Sequence, residues 1–147
     1  MPAPLAPLVG RWRADLLPKQ SDRLVVAPGA RAYLVAGMAA KADRPLLVIV
    51  PGEREAEDLV DDLELFTEHA SLLPAWETLP FEHVSPNVTT MAARARARDL
   101  LGIGAPGTIL VASVRAAIQR VSPSPVRPVI AAAGKEAGFD LLVERLA

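Results

Sequence analysis

Cysteine is absent from these 147 residues, which removes disulfides, thiolate metal ligands and thiol nucleophiles together. Histidine is nearly absent: only His69 and His83 occur, and neither stands at helical i, i+4 spacing from a second ligand. An excess of positive charge is missing too. Sixteen Lys and Arg against seventeen Asp and Glu leave a net charge of -1, whereas a free-standing nucleic-acid binder carries basic residues to neutralise phosphates. No apolar run reaches the roughly 18 residues of a membrane span. The first 19 residues, broken by Pro2, Pro4, Pro7 and Pro18 and charged at Arg11, Arg13 and Asp15, do not form the apolar stretch of a signal peptide. These absences fit a cytoplasmic protein with no membrane partner.

What is present suits a compact domain. With 51% hydrophobic and 22% charged residues the chain can bury a core of its own. Leu5, Leu8, Val9, Trp12 and Leu16 fall at helical spacing and predict a helix over 5–17. Leu24-Val25-Val26 is a brief apolar run, read as a first strand, that ends at the turn Ala27-Pro28-Gly29. Helix-favouring residues follow over 30–41. The run Leu46-Leu47-Val48-Ile49-Val50, without alternation, predicts a central strand of a parallel sheet, covered by helices on both faces.

Residues 53–68 predict a helix, with Ala56, Leu59, Val60, Leu63 and Phe66 on its apolar stripe and acidic residues opposite. Ser71-Leu72-Leu73 and residues 108–112 read as further strands and 91–101 as a helix. Ser113 is placed to cap a helix that carries Val114, Ala117, Ile118 and Val121. Strands and helices thus alternate, and the economical architecture is α/β: an open parallel sheet with flanking helices. The Ser-Pro-Ser-Pro-Val-Arg-Pro stretch at 122–128 marks a boundary. It divides a domain over 1–121 from a linker and the start of a second domain over 122–147, where Val129 to Ala133 suggest a strand and 139–147 a helix. About 25 residues cannot bury a core of their own, so the chain is expected to continue in its natural context.

A first strand, a glycine turn and a helix are the setting of a phosphate loop. That loop requires G-x-x-x-x-G-K-[ST], with bare backbone amides, a lysine for the outer phosphates and a hydroxyl for magnesium. Laid over 26–33, the spacing keeps only the interior Gly29. Val26 and Arg31 stand at the two glycine positions, Ala32 at the lysine and Tyr33 at the hydroxyl. The simplest reading is a structural turn with no cofactor bound. Elsewhere, Glu77, Glu82 and His83 could be drawn as a metal cluster, but a solvated loop surface accounts for them, and Ser113 lacks the glycines of a nucleophile elbow. No catalytic set emerges. Arg94, Arg96 and Arg98 lie on one helix; Arg94 and Arg98 share a side, where they could meet an acidic partner or a phosphate.

The segment Leu73-Pro74-Ala75-Trp76-Glu77-Thr78-Leu79-Pro80-Phe81-Glu82, with Ser85-Pro86 and Met91-Ala92-Ala93-Arg94 after it, resembles the N-terminal region of the transcription-repair coupling factors (Mfd). Ile109 to Val114 and Gln119 to Pro123 match the same family. The resemblance runs from about Leu24 to the end of the chain, and Trp76-Glu77-Thr78-Leu79-Pro80 is its specific signature. It implies a degenerate, RecA-like nucleotide fold similar to domain 1a of the repair protein UvrB, followed by the start of a UvrA-binding domain whose main contact residues lie beyond Ala147.

The same resemblance implies a non-catalytic module that helps recruit UvrA and regulates a DNA translocase able to displace stalled RNA polymerase. ATP and magnesium, like the contacts to polymerase and DNA, then belong to other domains of the parent protein. A UvrB-like ATPase half with a divergent phosphate loop is the competing reading. The residues themselves place Trp76, Leu79 and Phe81 in a proline-stiffened segment, where anchoring the loop onto the sheet is favoured over an exposed partner site.

Overall fold

The computed structural model describes residues 2–13, 23–78, 82–83, 85–120 and 138–146. A short helix α1 (Ala6–Val9) comes first, then a single turn at Pro28–Ala30 that runs into α2 (Arg31–Lys41). Next are β1 (Leu46–Val50), α3 (Glu53–Glu64), β2 (Ala70–Leu73), α4 (Val88–Ile103), β3 (Ile109–Ser113) and α5 (Val114–Ile118). The last described element is α6 (Phe139–Leu146). The three strands are parallel and ordered β1-β3-β2, with Val48 and Leu72 both opposite Val111. This is the open parallel sheet with flanking helices expected from the strand-helix alternation.

Period-two alternation divides the side chains between two layers. On one face Leu46, Val48, Val50, Ile109, Val111, Ala70 and Leu72 pack with α2 and α3, through Ala32, Ala36, Ala39, Ala56 and Leu63. On the other, Leu110, Ala112 and Leu73 pack with Ala97 of α4 and Ala116 of α5. All five residues of β3 are buried, so β3 is the centre of the sheet.

Three expectations change. β1 is an edge strand among the described residues, with Leu47 and Ile49 52% and 54% exposed. An unbroken apolar run identifies a strand but not its rank in the sheet, and the five-residue α5 is too short to cover that face. Leu24–Val26 forms no strand: Val25 is 98% exposed, and no hydrogen bond joins these residues to the sheet. The first helix is only four residues long and turns at Gly10, and residues 14–17 of the expected helix lie outside the described residues. The boundary at 122–128 and the strand suggested at 129–133 also lie outside them.

The helix ends follow local chemistry. Asn87 caps α4 by accepting the Thr89 N–H at 2.8 Å. Gly104 closes α4 with φ of 66° and donates its N–H to the Leu100 carbonyl, a left-handed stop that glycine adopts without a Cβ penalty. Ser113 caps α5 as expected, accepting the Ala116 N–H at 3.0 Å. α3 ends at Glu64, four residues short of the expected end at 68, and Leu5 donates its N–H to the Leu65 carbonyl just past that end.

Candidate functional site

A nucleotide-binding α/β fold offers two places for a ligand: the loop leading into its first long helix, and the crevice at the carboxyl ends of its parallel strands. In the loop, residues 26–33 build the start of α2. Ala32, at the lysine position, is buried against the core and has no cation to offer. Tyr33, at the hydroxyl position, lies edge-on to Trp12 at 5.3 Å between ring centroids and tilted against Phe66 at 5.8 Å. Its hydroxyl donates to the Leu8 carbonyl at 3.4 Å. Gly29 makes no close approach, since a Cβ there would meet nothing within 4 Å. Val26 is half-buried and Arg31 exposed. These residues do not fit Mg-ATP: the cation, the metal-binding hydroxyl and the bare second glycine are missing, and an aromatic cluster sits beside the loop.

The carboxyl rim is closed by polar groups. Glu53, three residues beyond β1, accepts the Ala75 N–H at 3.3 Å and the hydroxyl proton of Ser113, the last residue of β3. Past β2, the peptide of Trp76 is gripped from both sides: its N–H donates to Gln119 Oε1 at 2.7 Å, and its carbonyl accepts from Gln119 Nε2 at 3.3 Å and Arg115 Nη2 at 3.1 Å. Arg94 reaches in from α4. Its Nη1 donates to the Pro74 carbonyl at 2.6 Å and to Gln119 Oε1 at 3.3 Å, and its guanidinium lies 4.7 Å from the centre of the partly buried Trp76 ring. Glu77 accepts the Thr90 hydroxyl at 2.5 Å and the Asn87 N–H at 3.3 Å.

Arg94 is only 3% exposed. Burial pulls its pKa below the usual arginine value; the positive charge of Arg98 adds to this and the negative charge of Glu53 opposes it. An arginine stays protonated across the range proteins tolerate, so Arg94 keeps its positive charge at every working pH. A phosphate or acidic partner would have to displace Pro74 and Gln119 to reach Arg94. Arg98 is half-buried one turn further along.

Of the signature residues, Trp76 and Glu77 enter the network, Thr78 is half-buried beside it, and Leu79 and Pro80 lie outside the described residues, as does Phe81. Glu82 and His83 are exposed, and the described residues hold no group of three or more that could bind a metal ion. Sequence reasoning missed Glu53, Thr90, Arg115 and Gln119. Glu53 reads only as one of the acidic residues opposite the apolar stripe of its helix, and Gln119 carries no signal beyond its place in a family pattern, because its partners lie 25 and 43 positions away.

Comparison with known proteins gives the network its setting. No family model matches the sequence. The chain is 37% identical over 87% of its length to the transcription-repair-coupling factor of Mycobacterium tuberculosis, and 32% identical over 80% to that of Myxococcus xanthus. A third such factor, from Escherichia coli K12, is 33% identical over 64% of the chain. This chain is homologous to a segment of the transcription-repair-coupling factors. It spans 11% of the length of the mycobacterial and myxococcal factors. Factors of this name from three bacteria thus share sequence with the domain that holds this network.

Proposed function

We propose that this chain is a non-catalytic module of a transcription-repair-coupling factor: an N-terminal, UvrB-like domain whose phosphate loop has lost its function. Tyr33 carries the reading. It stands where the phosphate-loop spacing would call for the magnesium-binding hydroxyl, and its side chain is tied to Trp12, Phe66 and the Leu8 carbonyl. The module works in the cytoplasm by docking. Together with the domain that follows, it helps present a surface to UvrA, and it restrains the translocase motor of the same protein until stalled RNA polymerase is engaged. ATP and magnesium act in that motor, and DNA and polymerase are contacted there or in other domains.

The test is made on the full-length protein, by removing residues 1–147 and measuring ATP turnover and UvrA capture. The reading expects turnover to persist or rise and UvrA capture to weaken. Loss of ATP turnover, with the remaining protein folded, would mean that this segment takes part in hydrolysis.

A further inference from the structure

Among the described residues β2 forms the second edge of the sheet, opposite β1, and none of them pairs with its outer side. The Ile109 N–H donates to the His69 carbonyl at 2.8 Å, and Ala70 pairs with Ile109. In a parallel ladder the N–H and C=O of one residue point the same way and alternate along the strand. Ser71 and Leu73 therefore face β3, while the backbone groups of Ala70 and Leu72 face outward. No hydrogen bond from another described residue reaches them. Exposed edges are usually blunted by lysine, proline or a bulge, but Ala70-Ser71-Leu72-Leu73 contains neither lysine nor proline.

A groove of about 1070 Å³ runs along this edge between α3 and α4. Its α3 side carries the exposed carboxylates of Asp61 and Glu64, with Glu68 in the turn before β2. Its α4 side is built from the small residues Ala92 and Ala93, with the exposed Arg96 beyond them. One wall is acidic, the other is built mainly from small residues, and the floor is a strand edge that no described residue pairs.

We infer that this groove binds an extended basic peptide segment, which adds a strand to the outer edge of β2. Backbone hydrogen bonds to Ala70 and Leu72 provide the grip, as in other strand-addition complexes. Side chains on an added strand alternate between faces. Every second residue then points at Asp61 and Glu64 and is lysine or arginine, and the residues between lie over Ala92 and Ala93 and are small or β-branched. Charge complementarity selects a basic occupant over a neutral one.

The experiment titrates the ¹⁵N-labelled 147-residue chain with acetyl-Lys-Val-Lys-Ala-Lys-Thr-amide, reading amide shifts and hydrogen exchange. The amides of Ala70 and Leu72 should slow in exchange at least about tenfold. Replacing the three lysines by glutamate, or the protein's Asp61 and Glu64 by Asn and Gln, should weaken binding about tenfold, and the effect should fade as salt rises. Two backbone-methylated peptides, blocked at odd or at even positions, should behave oppositely: one loses binding and the other keeps it.

Equal binding of both methylated peptides would show a charge contact without strand addition and overturn the inference. So would the absence of binding, or shifts confined to residues away from β2. Protection of Ala70 and Leu72 that grows with protein concentration in the absence of peptide would assign the edge to a second copy instead.

Discussion

The loop into α2 and the carboxyl rim of the sheet are both positions at which an α/β fold can hold a ligand, and they are closed by different means. At the loop, the rings of Trp12, Tyr33 and Phe66 pack against one another, so size and shape decide what fits. At the rim, Glu53, Arg94, Gln119 and the Trp76 peptide are joined by hydrogen bonds, so the match of donors to acceptors decides. Apolar closure fails by overlap or cavity; polar closure fails when a partner is left buried and unsatisfied. The two regions should therefore respond to mutation in distinguishable ways.

The largest effect is expected on the apolar side. Gly37 lies under the Trp12 ring, and a Cβ there would overlap it. Gly37→Val should cost about 3 kcal/mol, the upper part of the range for overpacking, and lower the urea midpoint without changing the slope. An unchanged midpoint would mean that Trp12 does not close this region.

The next two changes test the rim. Trp76 is partly buried under the Arg94 guanidinium, so Trp76→Ala should cost somewhat less than the roughly 3–5 kcal/mol typical of a fully buried Trp. Unchanged stability would mean that the ring anchors nothing. Arg94→Met keeps the bulk of the stem but strands the Pro74 carbonyl, at a cost of about 2 kcal/mol. In a double-mutant cycle with Gln119→Ala, the two losses should be markedly less than additive, because they share one network. Full additivity would show that the rim contacts are independent.

The smallest effect is expected at Gly29. A Cβ fits there without contact, and the backbone does not have positive φ. Gly29→Ala should leave the unfolding midpoint unchanged or raise it by an amount worth at most about 1 kcal/mol. A clear loss of stability would mean that the turn needs glycine.

Much of the fold could be read from residue patterns, because its signals are local. Leu46–Val50 was placed to the residue, as a run of five apolar residues between prolines dictates, and the cap at Ser113 followed from its place after a strand. Rank in the sheet was not legible. β1 and β3 look alike as apolar runs, and only long-range packing makes one an edge and the other the centre. The three residues Leu24–Val26 carried a strand signal too short to outweigh the lack of a neighbour.

At the site, the residues missing from the phosphate loop were visible because that chemistry has fixed spacing. The rim was hidden for the opposite reason. Ser113 meets Glu53 across 60 positions of sequence and Trp76 meets Gln119 across 43, with no motif to mark either pair. Helical spacing puts Arg94 and Arg98 on one side, open to an acidic partner or a phosphate; in the fold the Arg94 guanidinium is instead the buried centre of the network.

Calorimetric titration of the chain with Mg-ATP tests most directly the claim that both positions are closed by the protein itself. The account predicts no saturable heat up to millimolar nucleotide, for the parent chain and for Gly29→Ala alike. A saturating isotherm with a micromolar dissociation constant would show that one of the two positions opens to nucleotide, and would contradict the account.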